Sequence, residues 1–173
     1  MQKVLWIPLS IWGLIGFMWS SSLFAQSASE AKSFLEKAAE GQQIGISLGQ
    51  LATQRAVNQR VKDFGQRLVD DHTKASQQIE QLAMKEGVHL VPGLSQEHKK
   101  TVNELSHLYG HAFDRAYLDY ILGDHEATVE EFERDVKRLQ DGDIKQWITS
   151  TLPTLVTHRE TARQVKYSMQ TNP

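Results

Sequence analysis

The stretch Val57–Glu86, VNQRVKDFGQRLVDDHTKASQQIEQLAMKE, decides the fold. Its residues Val57, Val61, Phe64, Leu68, His72, Ala75, Ile79 and Leu82 follow one another at intervals of four and three without a break. That is the period of one face of an α-helix, whereas a half-buried strand alternates by two. The helix stops at Gly87, the residue type favoured just past a last turn because it takes positive φ without a Cβ clash. One member of the stripe is out of character. His72 stands where the pattern asks for an apolar side chain, close to the helix midpoint.

Outward from this helix the same spacing recurs. A first helix is expected over Glu30 to Arg55, with Phe34, Ala38, Leu48 and Ala52 on one face. After the loop Val88 to Leu94, which holds Pro92 and Gly93, Ser95 caps a short helix ended by Gly110. A third long helix is expected from His111 to Leu139, lined by Asp114, Leu118, Leu122, His125, Val129, Phe132, Val136 and Leu139. The turn Asp141-Gly142-Asp143 leads to a fourth, from Ile144 to Met169, with Ile148, Leu155, His158, Ala162 and Val165 inward. Pro153 lies inside that helix and is expected to bend it. The fold class is therefore all-α, an up-down four-helix bundle with an extra short helix between the second and third long helices.

Composition narrows the function classes. The chain has 173 residues and a formal net charge of −2. That length fits one domain, and the near balance of charge does not suggest a nucleic-acid footprint. With no cysteine, disulfides, thiolate nucleophiles and sulfur-built zinc sites are excluded. Residues 1–25 read as a cleavable export signal: Lys3, the apolar run Val4–Trp19, then Ser20 to Ala25 with small residues before the cut. The run is shorter than the roughly 20 apolar residues of a membrane span, and Pro8, Gly13 and Gly16 interrupt it. The expectation is a protein processed to residues 26–173, without a stable membrane span and periplasmic or secreted, with its helical core over about 30–169.

Three histidines carry the candidate chemistry. His72, His125 and His158 each interrupt an apolar stripe near the middle of a long helix, so antiparallel packing brings them to one level inside the bundle. Asp71 and Asp124 precede two of them, and adjacent residues diverge by about 100° around a helix. These aspartates can ligate a metal or orient an imidazole on a neighbouring helix. Asp114 and Tyr117 are expected in the outer shell. Imidazole and carboxylate donors without sulfur suit a divalent transition metal but do not choose among iron, manganese, zinc, copper and nickel. The competing reading is a metal-free, structural His–Asp network in a protein that works through its surface. No complete nucleophile or di-iron set occurs; Glu104-Leu105-Ser106-His107 gives one copy of a motif that needs two. His89 and His98, in or beside a loop, are expected to be solvated.

The same residues resemble a known family. Ala38-Ala39-Glu40-Gly41 with Leu48-Gly49-Gln50-Leu51-Ala52, Val61-Lys62-Asp63-Phe64-Gly65 leading to Asp70-Asp71-His72, Phe113-Asp114-Arg115-Ala116-Tyr117, Asp124-His125 and Leu152-Pro153 followed by Leu155 and His158 are together similar to the domain of unknown function 4142 family. The resemblance covers about Ala31 to Val165. It implies a ferritin-like bundle located in the bacterial envelope, and no settled activity. It also implies an inward glutamate on the first helix, where this chain has Gly45. On that reading Gly45→Glu restores a ligand and strengthens metal binding. The opposing expectation is that Gly41, Gly45 and Gly49 let the first helix pack closely on its neighbour.

Overall fold

The computed structural model describes residues 18–139 and 142–171, with side chains from residue 28 onward. Five helices make it up: α1 (Met18–Arg55), α2 (Gln59–Lys85), α3 (Gln96–Ser106), α4 (Gly110–Arg138) and α5 (Asp143–Thr171). Among the described residues there is no strand, so the all-α expectation holds. No described helix is long and apolar enough to cross a membrane. The start of the segment read as an export signal, residues 1–17, lies outside the described residues. α1 begins at Met18, well before the expected Glu30. Neither proline nor glycine occurs between Met18 and Gly41, so nothing local stops the helix there.

α1 packs along α2, and α4 along α5. The ends of the helices set their directions. Lys85, at the end of α2, pairs with Asp143 at the start of α5. Arg138, at the end of α4, lies 3.7 Å from Glu30 in the N-terminal half of α1. At the other end the buried Asp114 of α4 accepts the backbone N–H groups of Val57 at 3.2 Å and Asn58 at 3.0 Å. α2 and α4 therefore run in the same direction, which corrects the expected up-down order at this step, because the long connection between them crosses the bundle where a tight turn would reverse the chain. The connection 86–109, which contains α3, has to return along α2, a span of about 40 Å. Ser95 caps α3 as expected, its hydroxyl accepting from His98 N–H.

Val57, expected on the inward stripe of α2, is 54% exposed instead. The helix starts two residues later because Asn58 caps it, its side chain accepting from Arg60 N–H. The two hairpin partners α1 and α2 touch backbone to backbone. A Cβ at Gly49 would sit 2.6 Å from the Gly65 carbonyl oxygen, and one at Gly65 would sit 2.6 Å from the Ala52 Cβ. Only glycine at both positions allows that approach. The expectation for Gly41 fails, since a Cβ there would meet nothing within 4 Å.

The core is divided in two. One cluster gathers Leu48, Val61, Phe64, Leu68, Ile121 and Ala162 with their neighbours. The other gathers Leu35, Ile79, Leu82, Val129, Ile148 and Leu155 with theirs. His72 falls between Leu68 and Ile79, His125 between Ile121 and Val129, and His158 between Leu155 and Ala162. The three imidazoles thus form a polar layer sandwiched between two apolar ones. Burial of the stripes on both sides holds that layer at a fixed depth.

Candidate metal centre

His72 on α2, His125 on α4 and His158 on α5 are all buried, at 7%, 2% and 1% exposure. Their ring centroids lie 5.9 Å (72–125), 5.6 Å (72–158) and 5.4 Å (125–158) apart. One ligand nitrogen from each lies within 4.8 Å of those of the others. The side chains that sequence spacing brought to one level do meet.

Hydrogen bonding orients each ring through one nitrogen. Gln42 donates through Nε2 to the Ala38 carbonyl at 3.1 Å, which turns its Oε1 toward His72 Nδ1 at 2.8 Å. That oxygen can only accept, so Nδ1 of His72 carries the proton. The Ile121 carbonyl likewise accepts from His125 Nδ1 at 3.0 Å. Asp71 Oδ2 accepts from His158 Nε2 at 2.8 Å, and the Arg67 guanidinium lies 3.7 Å from that same oxygen. What remains is Nε2 of His72, Nε2 of His125 and Nδ1 of His158, all buried and all without a protein partner. On neutral rings these three nitrogens carry lone pairs. A buried polar atom left unpaired costs about 1–3 kcal/mol, and three in one layer call for a shared partner. A cation accepts lone pairs; an apolar neighbour does not. The donor set fits a transition-metal ion, with one ring nitrogen ligating and the other held by an acceptor, as metal-bound histidines are held.

The surroundings keep the imidazoles available. Burial, then the proximity of His125 and His158, pushes the His72 pKa down to about 3. Burial also lowers that of His158, although the bond to Asp71 works against it. The consequence for stability has a definite sign. In the unfolded chain both rings titrate near 6.5, so above that pH they are neutral in both states and the full stability is present. As pH falls below about 6.5, the unfolded chain takes up protons that the folded one refuses. Metal-free protein should lose stability at up to about 1.4 kcal/mol per pH unit for each such ring. Urea titrations from pH 7 to pH 4 check this, and a flat profile would contradict it.

The other expected site residues fall in different places. Asp71 reaches the layer through His158. Asp124, as exposed as Asp71, has Oδ2 3.4 Å from His125 Nδ1. Asp114 is not brought to the histidines. It heads α2 instead, three helical turns, or about 16 Å, from the His125 level. Tyr117 stacks on Phe113, with centroids 5.5 Å apart, inside the apolar cluster. His98 is not simply solvated. Its Nδ1 lies 2.5 Å from Glu40 Oε1, which also accepts the Ser95 N–H at 2.7 Å. Hydrogen bonding from Ser95, and more weakly from His98, holds the Glu40 carboxyl below its usual range. His89 is exposed, as expected.

Sequence reasoning missed Gln42. Its signal was present, because Ala38, Gln42 and Gly45 also follow four-three spacing, so Gln42 interrupts the α1 stripe as the histidines interrupt theirs. Missed as well was a cleft of about 170 Å³ that reaches His72 and His125 from between α1, α4 and α5. Gly41, Glu40, Asp124 and Thr128 are among its walls.

Comparison with known proteins gives a family and nothing finer. No curated protein and no solved structure matches the chain. A family model does, over residues 20–165, and the protein belongs to the family described as Domain of unknown function (DUF4142).

Proposed function

We propose that this protein is an exported, ferritin-like helical bundle that binds one divalent transition-metal ion through His72, His125 and His158. The observation that carries the metal reading is the set of three unpartnered, buried ring nitrogens, one from each helix. A structural network would pair such atoms with one another or with the aspartates. Asp71, engaged by His158, and Asp124, beside His125, supply two negative charges close to the layer. A divalent cation there is matched by carboxylates without being ligated by either, which lowers the cost of burying its charge. Three protein ligands and, among the described residues, no fourth is the pattern of a site that keeps a position for water or an exchangeable ligand. The ferritin-like arrangement is supported by two helical hairpins joined by one long crossover. Export is supported by Lys3, the apolar run after it and the small residues up to Ala25.

The test is direct. Protein purified without a histidine tag and stripped with chelator should take up one equivalent of a first-row divalent ion per chain in calorimetry. Metal analysis before stripping would identify the ion carried from the cell. Absence of saturable binding by manganese, iron, cobalt, nickel, copper and zinc ions at neutral pH would eliminate the reading in favour of a metal-free network.

A further inference from the structure

We infer that the cleft between α1, α4 and α5 is the route by which a hydrated divalent cation reaches the three histidines, and that Gly41 is glycine in order to keep it open. This rests on the metal reading above and adds a path to it. The cleft reaches two of the unpartnered nitrogen-bearing rings, His72 and His125, which are 93% and 98% buried by their exposures of 7% and 2%. Above and below, the two apolar clusters cover the layer, and on the α2–α5 flank Asp71, hydrogen-bonded to His158 and paired with Arg67, stands over it.

Gly41 lacks the usual reasons for glycine in a helix. Its φ is not positive, and a Cβ would meet nothing within 4 Å. Glycine is the poorest helix former apart from proline, and this one is in the interior of α1, so neither packing nor backbone conformation accounts for it. It lines the cleft, and any larger side chain there would project into that space.

The charges at the mouth favour a cation. Glu40, Asp124 and Glu131 line the cleft, with Lys37 as the fixed positive charge among its walls. Lys37 is engaged by Glu131 at 2.6 Å, which leaves Glu40 and Asp124 as the excess. Opposed to them, His98 binds Glu40 and adds a positive charge only when protonated. An acidic opening with apolar walls concentrates cations and speeds their entry, and salt weakens that attraction.

The experiment measures Co²⁺ association with chelator-stripped protein by stopped-flow absorbance, and release into excess chelator. Gly41→Leu should slow both rates by about tenfold, equivalent to ~1.4 kcal/mol of added barrier, and leave Kd unchanged. A plug alters the barrier in both directions equally, whereas damage to the ligand set changes Kd. Gly41→Ala, which strengthens the helix and adds one methyl group to the cleft wall, should slow both rates measurably but by less than Gly41→Leu does. The wild-type association rate should fall as salt rises. If Gly41→Leu loads at the wild-type rate, or if Kd rises in step with a slower association, the route is refuted while the metal site stands. If wild-type protein takes up no Co²⁺ and no other ion, both the site and the route fall together.

Discussion

His158→Ala should abolish the thermal stabilisation that the proposed divalent ion is expected to give the wild-type protein. An ion that binds only the native state stabilises it by about 2.7 kcal/mol at 100 times its Kd. For a domain of this size that corresponds to a rise in Tm of roughly 5–10 °C. Removing the His158 ring deletes one of the three proposed ligands and leaves Asp71 without its buried partner. The variant should therefore melt lower than the metal-free wild type and show no rise with metal. Asp71→Asn separates the two effects, because it keeps a side chain of the same shape while removing the charge. Loss of such an orienting partner costs metal sites about 10–100-fold in affinity, so a weakened but measurable rise is expected. Scanning calorimetry with and without metal checks both variants. A His158→Ala protein that kept the full rise would put the ion elsewhere, and equal responses from Asp71→Asn and wild type would remove Asp71 from the site.

The histidine layer was legible because it needs only helical periodicity and long helices packed side by side. Each stripe placed its histidine at mid-height, and neighbouring helices in a bundle align their midpoints. The partner of each ring was harder to read. At positions 41 and 42 the α1 stripe is ambiguous, since both lie three or four residues from Ala38 and Gly45. Choosing Gly41 as the inward residue hid Gln42, whose side chain is 8% exposed and fixes the His72 tautomer. The Ile121 carbonyl was invisible for another reason: its role depends on the rotamer of His125, not on any residue type. Trp147, 7% exposed against Phe34 and Phe132, went unnoticed beside the stripe through Ile144 and Ile148. An apolar face wider than one line of residues admits neighbours on both flanks. Asp114 shows the opposite failure. Its inward direction was read correctly, but periodicity says nothing of a chain end arriving from another helix, and there it found the N–H groups that begin α2.

Gly45→Glu should weaken both the fold and the metal site, the reverse of what the family resemblance suggests. A Cβ at position 45 would lie 2.6–2.7 Å from Cγ, Cδ2 and Cε1 of His72. Those atoms are the ring itself, held by Gln42 and flanked by the rings of His125 and His158. Any side chain at 45 must therefore displace the imidazole before a carboxylate can reach the layer. Overpacking costs about 1–3 kcal/mol, and a buried carboxylate without a ligand adds to that. Yet the same overlap means that a glutamate at 45 and a histidine at 72 compete for one volume. His72 occupies in this chain the space that a ligand from α1 would otherwise take. His72→Ala alone leaves a hole beside Gly45, and Gly45→Glu alone overfills it. Together the two changes should offset each other, so the double variant should be more stable than the sum of the single losses predicts, by about 1–3 kcal/mol of coupling. It should also bind metal more tightly than either single variant, with a carboxylate now replacing one imidazole. Chemical denaturation and calorimetric titration of the four proteins complete the cycle. Additive stabilities would mean that the side chains at 45 and 72 do not share a volume. A Gly45→Glu protein that alone bound metal more tightly than wild type would show that His72 moves aside without cost.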